Sequence, residues 1–362
     1  MADDCILGEV LTAFCEDPAS SSYHPLGCGN IHDTYLVHCA APSFVLQKIN
    51  SEVFRQPQRV IDNFQKVSAH LLNKQQQGER QLLVAEPVLT RDKHLAYRDD
   101  SGALWRAQSY IAHASRAVIG SCQEAHHVGR VLAVFHRLIA DLDLHGFYDP
   151  LPGFHHLPQY LQRYDAELLK RHTLVGAEKD FALCLAAVER YRSQAATLEK
   201  AKESGILSLQ PIHGDPKVDN FIFDTLGHGC GLLDLDTVAM GLVQYDLGDC
   251  LRSCCNRAGE TAKGAASVTF DLSFCRALLT GYFSGDAPFL TPEQRGYIFD
   301  ALLLICYELG LRFFTDHLRG NPYFKVQKDG DNLTRALSQF SLLSAVAAQE
   351  REIRAMVLTA AH

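Results

Sequence analysis

The sequence predicts an α+β protein with two lobes, a smaller β-rich lobe followed by a larger and mostly helical one. Three observations support this division. Strand and turn signals are concentrated in the first hundred or so residues. From about residue 112 onward, apolar residues recur at helical spacing. With 362 residues, the chain is long enough for two cores, or for one large core with a small lobe attached.

The N-terminal lobe, residues 1–111, is predicted to contain a hairpin, a helix and three further strands. The helix is predicted over residues 58–72, where apolar residues follow helical spacing: Val60, Ile61, Phe64, Val67 and Leu71. The predicted strands are 35–39, 44–49, 81–88, 95–98 and 104–111. The last strand leads across to the second lobe.

The C-terminal lobe, residues 112–362, is predicted to be built from helices. One of them, over residues 123–141, has a continuous apolar face: Val128, Val131, Leu132, Phe135, Leu138 and Ile139. The other predicted helices are 158–172, 178–203, 267–283, 292–317 and 332–358. Thr291, Pro292 and Gln294 suit the N-cap, the first-turn proline and the N3 partner of a capping box.

The composition excludes several classes of protein. A formal charge of −8, with scattered basic residues, argues against a nucleic-acid surface. No stretch reaches the 18 or so apolar residues of a membrane helix, and the acidic start does not resemble a secretory signal. Twelve cysteines without a CxxC pair predict reduced thiols and a cytoplasmic protein. Zinc is not expected, because nothing completes a ligand set for the histidines of the 123–141 helix, His126, His127 and His136.

The most informative segment is His213 to Asn220, with the pattern H-G-D-x-x-x-x-N, followed by a D-x-D at Asp234 and Asp236. Phosphoryl transfer requires a positioned hydroxyl and metal ions that neutralise the phosphates, more than covalent chemistry from the protein. An Asp followed five residues later by an Asn matches the base and the metal ligand of a kinase catalytic loop. A single Asp or Asn here could be an ordinary turn residue. The combination predicts an ATP-dependent small-molecule kinase.

Within this mechanism each side chain has an expected role. Asp215 is the candidate base, and Asn220 and Asp234 are the candidate Mg²⁺ ligands. Lys217 lies two residues after the base, from where it could reach the transferring phosphate. ATP would also contact the N-terminal lobe, where Gly27 and Gly29 precede the first hairpin strand and let the backbone approach an anion. The candidate nucleotide contacts there are Asn30, His32 and Thr34 in the hairpin, and Ser109 and Ile111 at the crossover between lobes.

One position departs from the usual kinase pattern. Kinases generally carry a Lys on the third strand, paired with a Glu on the following helix. Here the expected position is Gln47, and strand alternation directs Lys48 to the opposite face. Either a shifted register lets Lys48 reach the phosphates, or a neutral pair of Gln47 with Asn63 replaces the ion pair. Both residues are therefore candidate nucleotide contacts.

The set Asp215, Asn220 and Asp234 resembles the aminoglycoside phosphotransferase and choline kinase superfamily, which has the bilobal protein-kinase-like fold. The resemblance is closest to the N-acetylhexosamine 1-kinases. Segments across nearly the whole chain carry it: 29–37, 45–50, 234–237, 245–249, 311–316 and 323–324.

The resemblance implies roles for individual residues. Asp215 would activate a sugar hydroxyl, and Asn220 and Asp234 would hold magnesium. Asp236 would be a further metal ligand or a member of the hydrogen-bond network. The predicted sugar contacts are Arg312 and Tyr323, although Arg312 could equally be a packing residue. Asp246 and Asp249 are expected to be structural, holding the catalytic loop through backbone hydrogen bonds, with Arg252 paired to either.

Three functions compete. The first is phosphorylation of an N-acetylhexosamine of the GlcNAc or GalNAc type at its anomeric hydroxyl, giving a sugar 1-phosphate; the anomeric position is implied by the resemblance alone. The second keeps the mechanism with another acceptor: choline or ethanolamine, homoserine or an aminoglycoside. Cationic acceptors are disfavoured by basic residues near the suspected acceptor site, namely Arg312, His317, Arg319 and Lys325. The third is a nucleotide-binding scaffold without catalysis, which the intact catalytic set argues against.

Overall fold

The structure is a computed structural model that describes residues 2–26, 31–39, 42–79, 82–112, 118–170, 179–259, 268–285 and 290–360. In the N-terminal lobe the elements are α1 (Ala2–Phe14), β1 (Ser22–Pro25), β2 (Asp33–His38), β3 (Phe44–Lys48), α2 (Pro57–Gln76), β4 (Pro87–Val88), β5 (Tyr97–Arg98) and β6 (Leu104–Ser109). The strands form one antiparallel sheet in the order β1-β2-β3-β6-β4, with β5 also paired to β6. This agrees with the predicted α+β architecture.

The two faces of this sheet have different roles. Leu46 and Trp105 face a small core that α1 closes from outside. On the opposite face the register aligns Thr34, Gln47 and Arg106 in one row across β2, β3 and β6. Because side chains alternate along a strand, this row belongs to the face that looks away from α1. Arg106 in this row forms an ion pair with Asp236 of the second lobe.

Helix α1 was missing from the sequence-based prediction, which assigned only strand and turn signals to the first hundred residues. Its buried residues Leu7, Val10, Leu11 and Phe14 have the i, i+3, i+4, i+7 spacing of an amphipathic helix. The signal was therefore present in the sequence. Its apolar stripe covers the outer face of the sheet, which would otherwise be exposed to water.

The C-terminal lobe contains the main core. Its helices are α3 (Cys122–Ile139), α4 (Leu157–Leu169), α5 (Lys179–Tyr191), α6 (Thr197–Glu203), α7 (Val243–Cys254), α8 (Leu272–Tyr282), α9 (Pro292–Leu318), α10 (Asp331–Ala347) and α11 (Glu350–Thr359). Two short antiparallel ribbons pair β7 (Gln210–Ile212) with β10 (Ala239–Gly241), and β8 (Phe221–Phe223) with β9 (Gly229–Leu232). None of the helices in these described ranges is both long and apolar enough to cross a membrane.

Packing inside this lobe requires close backbone approach at a few positions. Helices α3 and α8 cross at Gly129, where a Cβ atom would lie 2.0 Å from the Leu278 carbonyl oxygen. Long α9 runs through the core and is buried along most of its length. It begins with the predicted capping box: Gln294 N–H donates to Thr291 Oγ1 (3.2 Å), and Thr291 N–H donates to Gln294 Oε1 (3.0 Å). That prediction is confirmed.

Several element boundaries were predicted incorrectly. The segment 178–203 is broken into α5 and α6, and 332–358 is broken into α10 and α11. The strand predicted over 81–88 is reduced to Pro87–Val88, with Leu83 bridging to Gly231 in the other lobe. Periodicity persists across such breaks because flanking helices share one buried face. Gly27, Gly29 and Asn30 of the glycine loop lie outside the described residues.

Candidate active site

The H-G-D segment leaves β7 in a turn that is held from below by Asp246 of α7. Its Oδ2 accepts the His213 backbone N–H (2.7 Å) and its Oδ1 accepts the Gly214 N–H (2.8 Å). Gly214 has a φ of 88°, a conformation that favours glycine. The expectation that Asp246 holds the catalytic loop through backbone hydrogen bonds is confirmed.

Asp246 is itself completely buried and supported by His136 of α3. His136 Nε2 lies 2.8 Å from Asp246 Oδ2, and its Nδ1 lies 2.9 Å from the Tyr282 hydroxyl. Burial opposes ionisation, but the bond from His136 outweighs it and lowers the pKa of Asp246. His136 therefore supports a buried carboxylate in the core.

Asp215 follows Gly214 and points into the cleft, with 30% of its side chain exposed. Lys217 Nζ donates to its Oδ2 (2.7 Å), and the Asn220 amide nitrogen donates to its backbone carbonyl (2.7 Å). Burial raises the pKa of Asp215, but the charge of Lys217 outweighs that effect and the net shift is downward. Asp215 is thus held ionised, as a base must be before it accepts a proton.

The D-x-D segment is attached to this loop by backbone contacts. Leu233 N–H donates to the Asn220 carbonyl (2.7 Å). His213 Nδ1 accepts the Asp215 N–H (3.2 Å), so its Nε2 carries the proton and donates to the Leu233 carbonyl (2.9 Å). Asp234 comes next, with a φ of 61°. The structure therefore brings Asp215, Asn220 and Asp234 together from two loops that share hydrogen bonds.

The residues present fit a magnesium ion. Asp234 is reached by solvent, but it lies at the floor of the cleft, where desolvation and then the carboxylates of Asp236 and Asp215 raise its pKa. A divalent cation would relieve this repulsion. Among the described residues no three His, Cys, Asp or Glu side chains are grouped to hold an ion. Magnesium in kinases is usually held by one or two protein oxygens plus the phosphates of the substrate, which matches a pair formed by Asn220 and Asp234.

Asp236 has a different environment. Its Oδ1 lies 2.5 Å from Arg106 Nη1, and its Oδ2 lies 2.7 Å from Arg106 Nη2. His32 Nε2 also donates to Oδ2 (3.1 Å), because the Asn50 N–H occupies Nδ1 (3.1 Å). Burial opposes ionisation of Asp236, yet Arg106 and His32 bring its pKa well below the usual range. With both oxygens engaged, Asp236 fits the hydrogen-bond network better than metal ligation, the other role considered.

Both expectations for the third-strand position need correction. Lys48 points to the α1 side of the sheet, where its Nζ lies 5.7 Å from the centre of the Trp105 ring, so it faces away from Asp215. Gln47 does face the site, but it bonds to other residues. Its Oε1 accepts from Arg106 Nη2 (2.8 Å), and its Nε2 donates to Thr34 Oγ1 (3.2 Å). Asn63 instead bonds to the backbone of Tyr148. No register shift occurs, and Gln47 and Asn63 do not form a pair.

The other candidate nucleotide contacts lie in two places. Thr34 is on the polar face of the sheet, and His32 lies just before β2, where it contacts Asp236. Ser109 ends β6, where its N–H donates to the Glu86 carbonyl (2.8 Å) and its hydroxyl accepts the Glu86 N–H (2.9 Å). Ile111 lies just beyond, on the crossover to the helical lobe. Strand β6 thus leads into the crossover between the lobes, as predicted. Contacts between the adenine of ATP and this crossover stay a prediction.

Arg312 of α9 lies within a group of aromatic rings, on the side of the cleft where the acceptor is predicted to bind. Its guanidinium carbon is 5.2–5.7 Å from four ring centres: Phe154, Tyr160, Tyr323 and Phe324. Burial opposes the charge of Arg312, but nearby groups, among them Tyr160, Glu308 and Asp215, raise its pKa. The predicted pair of Arg312 and Tyr323 is brought together, with 3.5 Å between Nη2 and the hydroxyl.

Two residues that the sequence analysis did not identify connect Arg312 to the catalytic loop. Glu308, one turn earlier on α9, has Oε1 3.7 Å from Arg312 Nη1. His155 donates from Nδ1 to Glu308 Oε2 (3.3 Å) and from Nε2 to the Gly214 carbonyl (2.9 Å). His155 has a φ of 60°, which is unusual for a residue with a Cβ atom and marks a position under local constraint. Neither residue belongs to a motif, so no sequence signal pointed to them.

The remaining expectation concerns Asp249 and Arg252 on α7. Arg252 Nε donates to Asp249 Oδ1 (2.7 Å), and both side chains are buried. Arg252 is thus paired with Asp249, one of the two partners considered. A role for Asp249 in holding the catalytic loop through backbone hydrogen bonds stays a prediction.

A two-lobed fold with an ionised Asp, an adjacent Asn and a second carboxylate at the cleft floor defines a phosphotransferase. A family model described as the phosphotransferase enzyme family (APH) matches residues 22–285, and the chain belongs to this family. It is therefore a phosphotransferase, and enzymes of this family use ATP with Mg²⁺.

Solved structures with low sequence identity share the fold. A microcompartment-associated aminopropanol kinase has a TM-score of 0.65 at 16% identity, over 99% of this chain and 100% of that one. Choline kinase from Cryptosporidium parvum Iowa II has a TM-score of 0.61 at 11% identity, over 97% of this chain and 98% of that one. A spectinomycin phosphotransferase in complex with ADP and spectinomycin has a TM-score of 0.54 at 12% identity, over 91% of this chain and 93% of that one. The bilobal protein-kinase-like fold is confirmed.

Proposed function

We propose that this enzyme phosphorylates an N-acetylhexosamine at its anomeric hydroxyl, with ATP as the donor, and releases a sugar 1-phosphate. The nucleotide would bind between the N-terminal lobe, residues 1–111, and the catalytic lobe, residues 112–362. Twelve cysteines without a CxxC pair are consistent with activity in the reducing cytoplasm.

A single observation supports a neutral acceptor: the aromatic group on the acceptor side is occupied by the chain's own cation. Aromatic faces attract ammonium groups, and quaternary ammonium ligands are commonly bound in such cages. Here Arg312 lies among Phe154, Tyr160, Tyr323 and Phe324, with only 15% of its side chain exposed. A cationic acceptor in this place would meet a buried positive charge. A sugar, by contrast, can accept hydrogen bonds from a guanidinium and pack against rings.

The chemistry follows from the charges around Asp215. The sugar hydroxyl oxygen would form a bond to the γ-phosphorus while the bond to the ADP oxygen breaks, and Asp215 would accept the hydroxyl proton. Lys217, now 2.7 Å from Asp215, is close enough to contact the transferring phosphate. Magnesium, held by Asn220 and Asp234, would neutralise the phosphate charge when bound.

An amino alcohol is the second candidate acceptor. Similar solved structures include an aminopropanol kinase and a choline kinase, and buried Glu308 is a carboxylate close to the acceptor side. In this chain, however, the single negative charge of Glu308 is already shared by two cations, Arg312 and His155. The amino alcohol is therefore the less favoured of the two.

An ADP-release assay with MgATP separates these functions. It compares N-acetylglucosamine, N-acetylgalactosamine, choline, homoserine and kanamycin, with Asp215→Asn as the inactive control. Turnover of the N-acetylhexosamines that is lost in Asp215→Asn, with a product that no longer reduces alkaline copper, supports the proposal. Turnover of choline or homoserine alone rejects the sugar and retains the mechanism.

A further inference from the structure

We propose that Arg106 of β6 is the positioning residue that replaces the missing third-strand lysine, by fixing Asp236 and, through it, the metal-binding Asp234. The inference rests on the proposed roles of Asp215, Asn220 and Asp234. It does not depend on which acceptor the enzyme uses.

Arg106 places a positive charge on β6, one strand away from the β3 position where kinases generally carry the lysine. Gln47 stands where the lysine is expected, and Arg106 is its direct neighbour across β3 and β6. Arg106 donates to Gln47 Oε1 from both Nε (3.1 Å) and Nη2 (2.8 Å), while Gln47 Nε2 donates to Thr34. The glutamine thus orients the guanidinium, which a lysine at the same position would repel.

The guanidinium is committed to Asp236. It forms two parallel bonds to the carboxylate, and Arg106 is only 2% exposed. The guanidinium has five N–H groups, and four hydrogen bonds use most of them: two to Asp236 and two to Gln47. Its charge is therefore directed to the D-x-D segment, unlike a lysine that contacts phosphate as a point charge.

The ion pair joins the two lobes at the floor of the cleft. Asp236 belongs to the C-terminal lobe, and the residues that contact it, Arg106 on β6 and His32 just before β2, belong to the N-terminal lobe. Phe64 of α2 lies under the guanidinium, 4.8 Å from ring centre to guanidinium carbon. Asp234 is two residues away in a constrained left-handed conformation, so a shift of Asp236 moves the metal ligand.

The test measures the Mg²⁺ dependence of ADP binding together with turnover. Thermal unfolding of the full chain is followed in ADP with increasing Mg²⁺, a readout that needs no acceptor. In Arg106→Gln, we expect the Mg²⁺ concentration for half-maximal stabilisation to rise about 10- to 100-fold, with a similar loss in kcat. Arg106→Lys keeps the charge and loses the parallel bonds, so its Mg²⁺ concentration for half-maximal stabilisation is expected to lie between those of the wild type and Arg106→Gln.

Arg354→Gln is the matched control. Arg354 also makes parallel bonds to an Asp, Asp300 (2.9 and 3.1 Å), and also lies over a phenylalanine, Phe299 (4.4 Å). The described partners of Arg354 are Glu350, the Gly296 carbonyl and Asp300, none of which is a candidate site residue, so its loss should leave Mg²⁺ dependence and kcat unchanged. Arg106→Gln combined with Asp236→Asn removes both buried charges and keeps the fold testable, and it should show the same rise in Mg²⁺ requirement.

A charge swap tests the geometric claim. Gln47→Lys combined with Arg106→Gln returns the cation to the third strand, and we expect it to recover part of the Mg²⁺ affinity lost in Arg106→Gln. If Arg106→Gln lowers the melting temperature as Arg354→Gln does, with unchanged Mg²⁺ dependence and kcat, Arg106 is only structural and the proposal fails. Failure of the sugar assay with a shifted Mg²⁺ dependence would reject the acceptor and retain Arg106.

Discussion

His155 Nε2 donates a hydrogen bond to the carbonyl oxygen of Gly214, at 2.9 Å, immediately before the candidate base. The other ring nitrogen faces Glu308 at 3.3 Å, so both nitrogens act as donors and the ring is an imidazolium. His155 therefore carries a positive charge beneath the catalytic loop. Its ring is also stacked on Tyr245, with 4.8 Å between the centres.

The charge on His155 predicts a pH dependence of stability. Burial lowers its pKa, but Glu308, the Gly214 carbonyl and Asp249 raise it, and the net shift is upward. A raised folded-state pKa contributes stability that is complete below the unfolded value, about 6.5, and is lost as pH rises through the folded value. Urea unfolding of the wild type between pH 5.5 and 9 should show this loss.

Glu308→Gln tests whether Glu308 is the group that raises the pKa of His155. Without the carboxylate, burial should lower the pKa of His155, so the loss of stability on the alkaline side should disappear. Glu350→Gln, which removes a surface carboxylate paired with Arg354, is the matched control and should follow the wild-type profile. Identical profiles for Glu308→Gln and the wild type would contradict a charged His155.

Arg312→Met should weaken acceptor binding and leave ATP binding unchanged. A hydrogen bond to a charged group contributes about 1.5–3 kcal/mol, which corresponds to a KM increase of roughly 10- to 100-fold for the acceptor. Steady-state kinetics with each substrate varied in turn measures the difference. Arg295→Met is the control, because Arg295 is on the same helix and also lies over a ring, Phe283, at 4.6 Å. Equal KM increases for ATP and acceptor would exclude a specific acceptor contact.

Much of this architecture could be predicted from the sequence because it depends on local patterns. The strands that flank the cleft, the helix at Thr291 and the H-G-D and D-x-D segments are all encoded within short windows. The role of Asp246 as support for the loop was expected from the family resemblance. Its physical basis is that a buried carboxylate needs donors, and the Gly214 and His213 amides supply them.

The partners of Gln47 and the contacts of His155 depend on long-range geometry. Gln47 and Arg106 are 59 residues apart and meet only through the register of β3 and β6. His155 and Glu308 are 153 residues apart, and no periodicity relates them. The sequence indicated that the lysine was missing, but the cation that faces Asp236 could be identified only when the sheet was seen.

Asp316→Ala should release the segment that carries Tyr323. Asp316 Oδ1 accepts the Tyr323 N–H (3.0 Å) and Oδ2 accepts the Phe324 N–H (2.9 Å), and the carboxylate is buried. Each buried donor left without a partner costs about 1–3 kcal/mol. We expect a lower free energy of unfolding and a raised KM for the acceptor, with the KM for ATP unchanged.

The control for Asp316 is Asp331→Ala. Asp331 likewise accepts two backbone N–H groups, those of Gln327 (2.8 Å) and Lys328 (3.0 Å), but at the surface, where water can replace it. Its loss should change neither KM. If Asp316→Ala unfolds at the wild-type denaturant concentration, the bonds to Tyr323 and Phe324 do not hold the segment.

Gly214→Ala should reduce turnover far more than it reduces stability. Gly214 has a φ of 88°, and a Cβ atom there would lie 2.8 Å from the Thr237 carbonyl oxygen, so the loop carrying Asp215 must shift. Gly205→Ala is the matched control, because Gly205 has a similar φ of 76° and open space where the Cβ would lie. Both substitutions incur the left-handed strain of about 1–2 kcal/mol, measurable by urea unfolding. Only Gly214→Ala displaces the candidate base Asp215, and a displacement near 1 Å can lower kcat by about 100-fold. Equal kcat values for the two variants would show that the contact with Thr237 does not set the position of Asp215.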